Sequence, residues 1–294
     1  MHLDSVDSVR LRRYAFALAC CTFGLVVAGA LVTSNDAALS VPDWPLSWGR
    51  LIPPFEANIR YEFAHRALAL IVTLMTAGLA WKLRTRLAWT ALATVLAQAA
   101  LGGVLVKFLT PAAATIAHAC LAQAFFGMVV AIWFGRIAQN PDGNKGVRAR
   151  FLGESPKLAL APLVAAIALF AQTILGAAVR HNLISPIPHI AGAVIATVLV
   201  MWAGLGTLMA HMENPTLRRI ATLLLSLTFS QVFLGIAAYM ARIATADAPQ
   251  PMPMMVGFTV AHVAVGSLAF GAAILLAMAG PAESVVPTQR MAAA

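Results

Sequence analysis

The sequence predicts an all-α integral membrane protein with eight transmembrane helices. Three observations carry this. Of 294 residues, 61% are hydrophobic and 11% charged, a balance foreign to an ordinary soluble domain. Eight apolar stretches are long enough to span a bilayer, over approximately 14–33, 59–81, 87–107, 112–135, 158–180, 187–210, 217–241 and 255–279. Four histidines, His65, His118, His189 and His262, fall one in every second stretch. The chain left between the spans is too short for a soluble domain, so the whole reads as one membrane unit.

The first stretch follows Arg10, Arg12 and Arg13 and carries small residues at Ala28, Gly29 and Ala30, as a secretory signal peptide would. Its apolar run of about 20 residues exceeds a usual signal core, and it fits the repeat described next, so it is expected to be retained. The loop after it contains Pro42-Asp43-Trp44-Pro45. Two prolines bracketing Asp43 and Trp44 indicate a shaped loop, able to cover a site that opens outward, although tryptophan at an interface also serves as a plain membrane belt.

The second stretch carries Glu62, His65 and Arg66. The third, fifth and seventh share Gln-x-x-Leu-Gly, as Gln98 to Gly102, Gln172 to Gly176 and Gln231 to Gly235. Each is followed by a histidine-bearing stretch, with His118, His189 and His262. The first stretch has Leu25-Val-Val-Ala28-Gly29 at the matching place. The unit is a helical hairpin used four times, or a four-helix half used twice. The loop at roughly 136–157, rich in Gly, Asn and basic residues, divides the halves. Glutamine can hydrogen-bond between helices and glycine permits close approach; both also suit the wall of a cofactor crevice.

The formal net charge is +9, but its distribution argues against nucleic acid as partner. Arg10, Arg12, Arg13, Lys82, Arg84, Arg86, Arg136, Lys145, Arg148, Arg150, Lys157, Arg218, Arg219 and Arg290 fall on one side of an eight-span arrangement; Arg50, Arg60, Arg66, Lys107, Arg180 and Arg242 fall on the other or just inside it. The richer side is cytoplasmic by the positive-inside rule. The expectation is a multi-pass protein of a bacterial-type cytoplasmic (inner) membrane, with both termini inside and the histidines toward the outer face. Cys20, Cys21 and Cys120 all lie within spans, as small apolar packing residues, so no disulfide is expected in the outer loops.

An ionisable residue inside a membrane points to function. Even-numbered helices run in one direction, so all four imidazoles lie toward one surface. Four of one kind at similar depth suggest axial ligands for haem, two to each iron; the alternatives are polar packing and a proton relay. Ala69, Ala122, Ala193 and Gly266 lie four residues after the histidines, on the ligands' own faces, and would leave room for a macrocycle. His189 follows Pro186 and Pro188 and is expected to sit shallower than the others. Only His65 has a carboxylate on its face, Glu62, and an arginine next to it, Arg66. Such a carboxylate can move protons or stabilise developing positive charge beside a haem, or simply pair with Arg66. Arg180, Lys107 and Arg242 lie near outer helix ends, placed for haem propionates or for snorkelling to the interface. His181, beside Arg180, either touches a haem edge or sits among headgroups.

At these residues the chain resembles the haem A synthase family, membrane enzymes that convert haem O to haem A for terminal oxidases. The resemblance rests on Leu31-Val32-Thr33, Pro42-Asp43-Trp44-Pro45-Leu46, Glu62-Phe-Ala-His65-Arg66, the later histidines, and Gly176-Ala-Ala-Val179-Arg180-His181. It implies two pseudo-symmetric four-helix bundles: residues 1–137 holding the substrate haem site, a cytoplasmic linker over 138–157, and residues 158–294 holding a haem b on His189 and His262. It implies that His65 and His118 face the iron of haem O, that Glu62 is the catalytic carboxylate, and that one porphyrin methyl group is oxidised to a formyl group in successive steps. Implied partners are haem O and haem O synthase, a terminal oxidase or its assembly factors, an electron donor and membrane lipid. Part of the family has a cysteine pair in the outer loop after the first helix; this sequence has none there.

Two other functions compete: a di-haem b-type electron carrier, and a non-catalytic haem-handling or oxidase-assembly protein. The asymmetry at Glu62 favours the enzyme, since a carrier needs no carboxylate beside one haem only.

Overall fold

A computed structural model describes residues 2–52, 58–138 and 156–279. It is all-helical: α1 (His2–Ser34), α2 (Ile59–Leu83), α3 (Arg86–Lys107), α4 (Ala112–Ala138), α5 (Pro156–Arg180), α6 (Pro186–Ala210), α7 (Pro215–Ala244) and α8 (Pro253–Ala279). All eight are long and apolar enough to cross a membrane, which makes this a multi-pass membrane protein. The linker expected over 138–157 lies almost wholly outside the described residues, as do Lys145, Arg148, Arg150 and Arg290 of the basic side.

Local chemistry sets the helix ends. The Thr85 hydroxyl accepts the Ala88 N–H and starts α3, one residue after Arg84 closes α2 in a left-handed conformation. The Asn214 side chain accepts from Thr216 and Leu217 at the start of α7, satisfying donors that a helix N-terminus otherwise leaves open. Proline opens α6 and α7, where its missing N–H does no harm. α1 begins well before its apolar run, because Arg10, Arg12 and Arg13 are good helix formers outside the bilayer.

Helices α1 to α4 form a ring in which each touches the next and α4 returns to α1; α5 to α8 form a second ring in the same way. The bundles meet through α1, α4, α5 and α8. There α4 packs on α8, and the α1–α8 contact is mirrored by α4–α5, the pattern of a pseudo-two-fold axis between α4 and α8. Each half has its own core, around Leu18, Val72, Leu79, Phe125 and Val129 in the first and Val200, Leu217, Leu224 and Leu276 in the second. Leu70, Ile71 and Leu74 on α2 and Ile190, Val194 and Val198 on α6 stay exposed, as lipid-facing side chains should.

The interface keeps the symmetry to the level of side chains. Gln123 and Ser267 each lie five residues after the histidine of their helix. The Gln123 Nε2 donates to the Ser267 Oγ at 2.7 Å, both residues being buried. Such bonds between membrane helices average about 0.6 kcal/mol, so this one sets register more than stability. Around it Phe23 meets Phe126 with ring centroids 6.2 Å apart, and Phe170 meets Phe270 at 5.8 Å.

Candidate functional site

Each of the four histidines sits on a glycine of the preceding helix. A Cβ added to Gly29 would lie 3.2 Å from Cε1 of His65, one on Gly102 3.5 Å from His118, one on Gly176 3.2 Å from His189, and one on Gly235 2.9 Å from His262. Three of these are the glycines of Gln-x-x-Leu-Gly. The motif therefore encodes a seat for an imidazole: glycine leaves the gap, and the ring enters from the neighbouring helix. In all four rings Nδ1 is enclosed without a hydrogen-bond partner in the structure.

The glutamines sit one turn inward. The Gln98 Nε2 donates to the His118 carbonyl at 2.9 Å. The Gln172 amide packs over Gly192. Gln231 fills the space over Gly266 and its Nε2 lies 3.3 Å from Nε2 of His262. The room expected beside Gly266 is thus taken by an amide.

The rings come in pairs, one per bundle. His189 and His262 have centroids 6.3 Å apart and ring planes at 88°. His65 and His118 take the corresponding places in the first bundle, on the seats of Gly29 and Gly102. Two imidazoles on opposite sides of one metal ion would have their centroids roughly 6 Å apart, from about 2 Å per metal–nitrogen bond and about 1 Å from nitrogen to ring centre. Among the described residues no group of three or more His, Cys, Asp or Glu side chains could hold a metal ion. Each pair instead offers two imidazoles, the number of protein ligands that a bis-histidine haem iron takes. The donors present fit that group, with the adjustment that Gln231 must release Nε2 of His262 if that nitrogen ligates.

The halves differ above the histidines. Glu62, buried on the first turn of α2, accepts from the Ser40 hydroxyl at 3.0 Å and the Val41 N–H at 2.9 Å with Oε2, while Oε1 pairs with Arg66. Arg66 also donates to the carbonyls of Asp43 (2.7 Å), Leu46 (3.0 Å) and Val41 (3.2 Å). The Asp43 carboxylate accepts the N–H groups of Trp48 at 2.6 Å and Gly49 at 2.8 Å. The Gly49 bond is the largest of the causes holding this carboxyl below its usual range. The loop is shaped, as its prolines predict, and Glu62 and Arg66 are its anchors as well as each other's partners.

Arg180 and Arg242 reach the same end of the bundles but are engaged by protein groups. The Arg180 Nη2 donates to the Thr33 carbonyl at 3.0 Å, joining α5 to α1; Arg242 donates to Asn182 Oδ1 at 2.7 Å. Arg242, Asn182 and Tyr239 line an open cavity of about 340 Å³ with Val179, Ile184 and Pro186. Lys107 lies 6.0 Å from the Phe108 ring centre. His181 is half-buried, and burial, with Arg180 beside it, lowers its pKa. Cys20, Cys21 and Cys120 are free.

The chain is similar to three curated proteins, each named heme A synthase. It is 31% identical to that of Symbiobacterium thermophilum over 128 residues, 40% of this chain and 42% of the relative. It is 35% identical to that of Staphylococcus carnosus over 74 residues, 25% and 22%, and 32% identical to that of Rhizobium johnstonii over 165 residues, 49% and 45%. The chain thus covers less than half the length of each relative it matches. No family model matches it.

Proposed function

We propose that the protein is a haem A synthase-like oxidoreductase, oxidising one porphyrin methyl group of haem O to the formyl group of haem A for terminal oxidase assembly. The observation that carries this is an asymmetry within a repeat. Both bundles present a pair of imidazoles on glycine seats, but only the first has a carboxylate, Glu62, one turn from its histidine. The similarity to proteins named heme A synthase supports the same reading.

In this reading His189 and His262 would hold a haem b, with Gly176 and Gly235 fixing the rings, and Arg180 and Arg242 would be the cations available to its propionates. Bound haem b supplies one-electron redox chemistry. His65 and His118 face the iron of haem O, the substrate. Converting the methyl to a formyl group adds an oxygen atom and removes electrons, which an external oxidant has to accept; Glu62 handles the released protons at its carboxylate oxygens, and Arg66 keeps it oriented. Haem O synthase, a terminal oxidase or its assembly factors, an electron donor and lipid are the partners that follow.

Glu62→Gln tests this. The variant should keep its protein level and C-terminal haem while haem O oxidation stops or stalls at the alcohol, seen by extracting and separating the pigments. A normal haem A yield would reduce Glu62 to an anchor of the loop.

A further inference from the structure

The loop after α1 is held to the N-terminal bundle at two places. Arg66 gathers the carbonyls of Val41, Asp43 and Leu46. Within the same stretch, between Asp43 and Leu46, the Trp44 indole lies flat on Gly103: a Cβ there would be 2.9 Å from Cδ2 and 3.1 Å from Cε2 and Cε3. Only glycine admits the ring at that distance. Both anchors adjoin the paired histidines, since Arg66 follows His65 and Gly103 follows Gly102, the seat of His118.

The C-terminal bundle has no such clasp. Ile190 stands where the repeat places Arg66, Ile236 stands where it places Gly103, and both are exposed. Its connection from α5 to α6 is short, and the end of that bundle holds the open cavity beside Asn182 and Arg242. A cofactor that stays bound needs no cover that opens. A substrate exchanged at every turnover needs one, because the site must shut against water and then release a large planar molecule.

We propose that Arg66 and Trp44 are positioning residues that make this loop a latched cover of the N-terminal site. Arg66 fixes the loop to the turn that carries His65. Trp44, seated on Gly103, closes the side facing α3, and porphyrin exchange requires the indole to leave that seat. The inference rests on the reading of the N-terminal bundle as the haem O site.

The test uses the full chain in lipid nanodiscs, comparing the parent with Trp44→Ala, Trp44→Phe and Gly103→Val. One readout is tryptic cleavage after Arg50, an exposed residue of the loop. The other is the rate of haem O uptake and release, followed by visible absorbance. Trp44→Ala and Gly103→Val should each speed cleavage and exchange by about ten-fold, the effect of about 1.4 kcal/mol of lost latch contact, with the resident haem spectrum unchanged. Trp44→Phe should stay near the parent. Unchanged cleavage in both disruptive variants would overturn the latch, and faster cleavage without faster exchange would overturn its gating role. Failure of the parent to take up haem O would overturn the substrate reading and this role with it. That case is told apart because the cleavage contrast among variants persists.

Discussion

The Phe126 ring lies 3.3 Å from where a Cβ on Gly271 would be, and Phe270 lies 2.9 Å from the same position on Gly127. The two contacts are one contact used twice. Phe126 and Phe270 each come eight residues after the histidine of their helix, and Gly127 and Gly271 nine. Each bundle thus offers the other an aromatic knob and a glycine hole in the same register. Without a hydrophobic drive between helices in lipid, such close approach is what holds bundles together.

A methyl group at Gly127 should therefore be harmful. It would meet Ile274 at 2.8 Å as well as Phe270, and overpacking of this kind costs about 1–3 kcal/mol. Gly127→Ala should lower the melting temperature of the purified protein, Gly271→Ala should do so less, and Phe270→Leu should restore part of the loss in the Gly127→Ala background. A Gly127→Ala protein that melts with the parent would mean the bundles are not docked this way.

The imidazole seats make a graded prediction. Gly235 is the tightest, at 2.9 Å from His262, and Gly102 the loosest, at 3.5 Å from His118. If the C-terminal pair holds haem b, Gly235→Ala should lower the haem-to-protein ratio measured by visible absorbance, and Gly102→Ala should leave it unchanged. Equal ratios in both variants would separate the glycine seats from ligation.

Much of this architecture was legible in the sequence, and the limits have physical causes. Eight spans follow from apolar length alone, and α3 and α6 begin and end within a residue of expectation. α1 starts far earlier than its apolar run and α7 continues to Ala244, because a helix does not stop where hydropathy does. The repeat of Gln-x-x-Leu-Gly was visible, yet its meaning as an imidazole seat was not. That contact joins two helices, and periodicity describes one helix at a time. For the same reason Gly266 read as open space, while the Gln231 amide of α7 fills it. The reciprocal Phe126 and Phe270 contacts were hidden by an alanine- and glycine-rich background in which no single glycine stands out.

The distribution of basic residues predicts an orientation. If the positive-inside rule sets both termini and the 136–157 loop on the cytoplasmic side, an alkaline phosphatase fused after Arg290, active only outside the cytoplasm, should stay inactive. An active fusion would require an odd number of spans or removal of the first.

The division of labour between the bundles is the sharpest prediction, and it rests on Glu62 and Arg66 accompanying His65 alone. His189→Ala or His262→Ala removes one of two rings whose centroids lie 6.3 Å apart. Either should strip a tightly held low-spin haem b from the purified protein, because one imidazole cannot maintain six-coordinate iron. His65→Ala or His118→Ala should leave that haem in place and abolish or trap turnover of haem O. Visible spectra and extracted pigments from four variants decide the matter. Loss of resident haem from the N-terminal variants alone would reverse the assignment of the halves. Full haem content in all four would remove histidine ligation itself, and the glycine seats would then be packing devices for buried imidazoles.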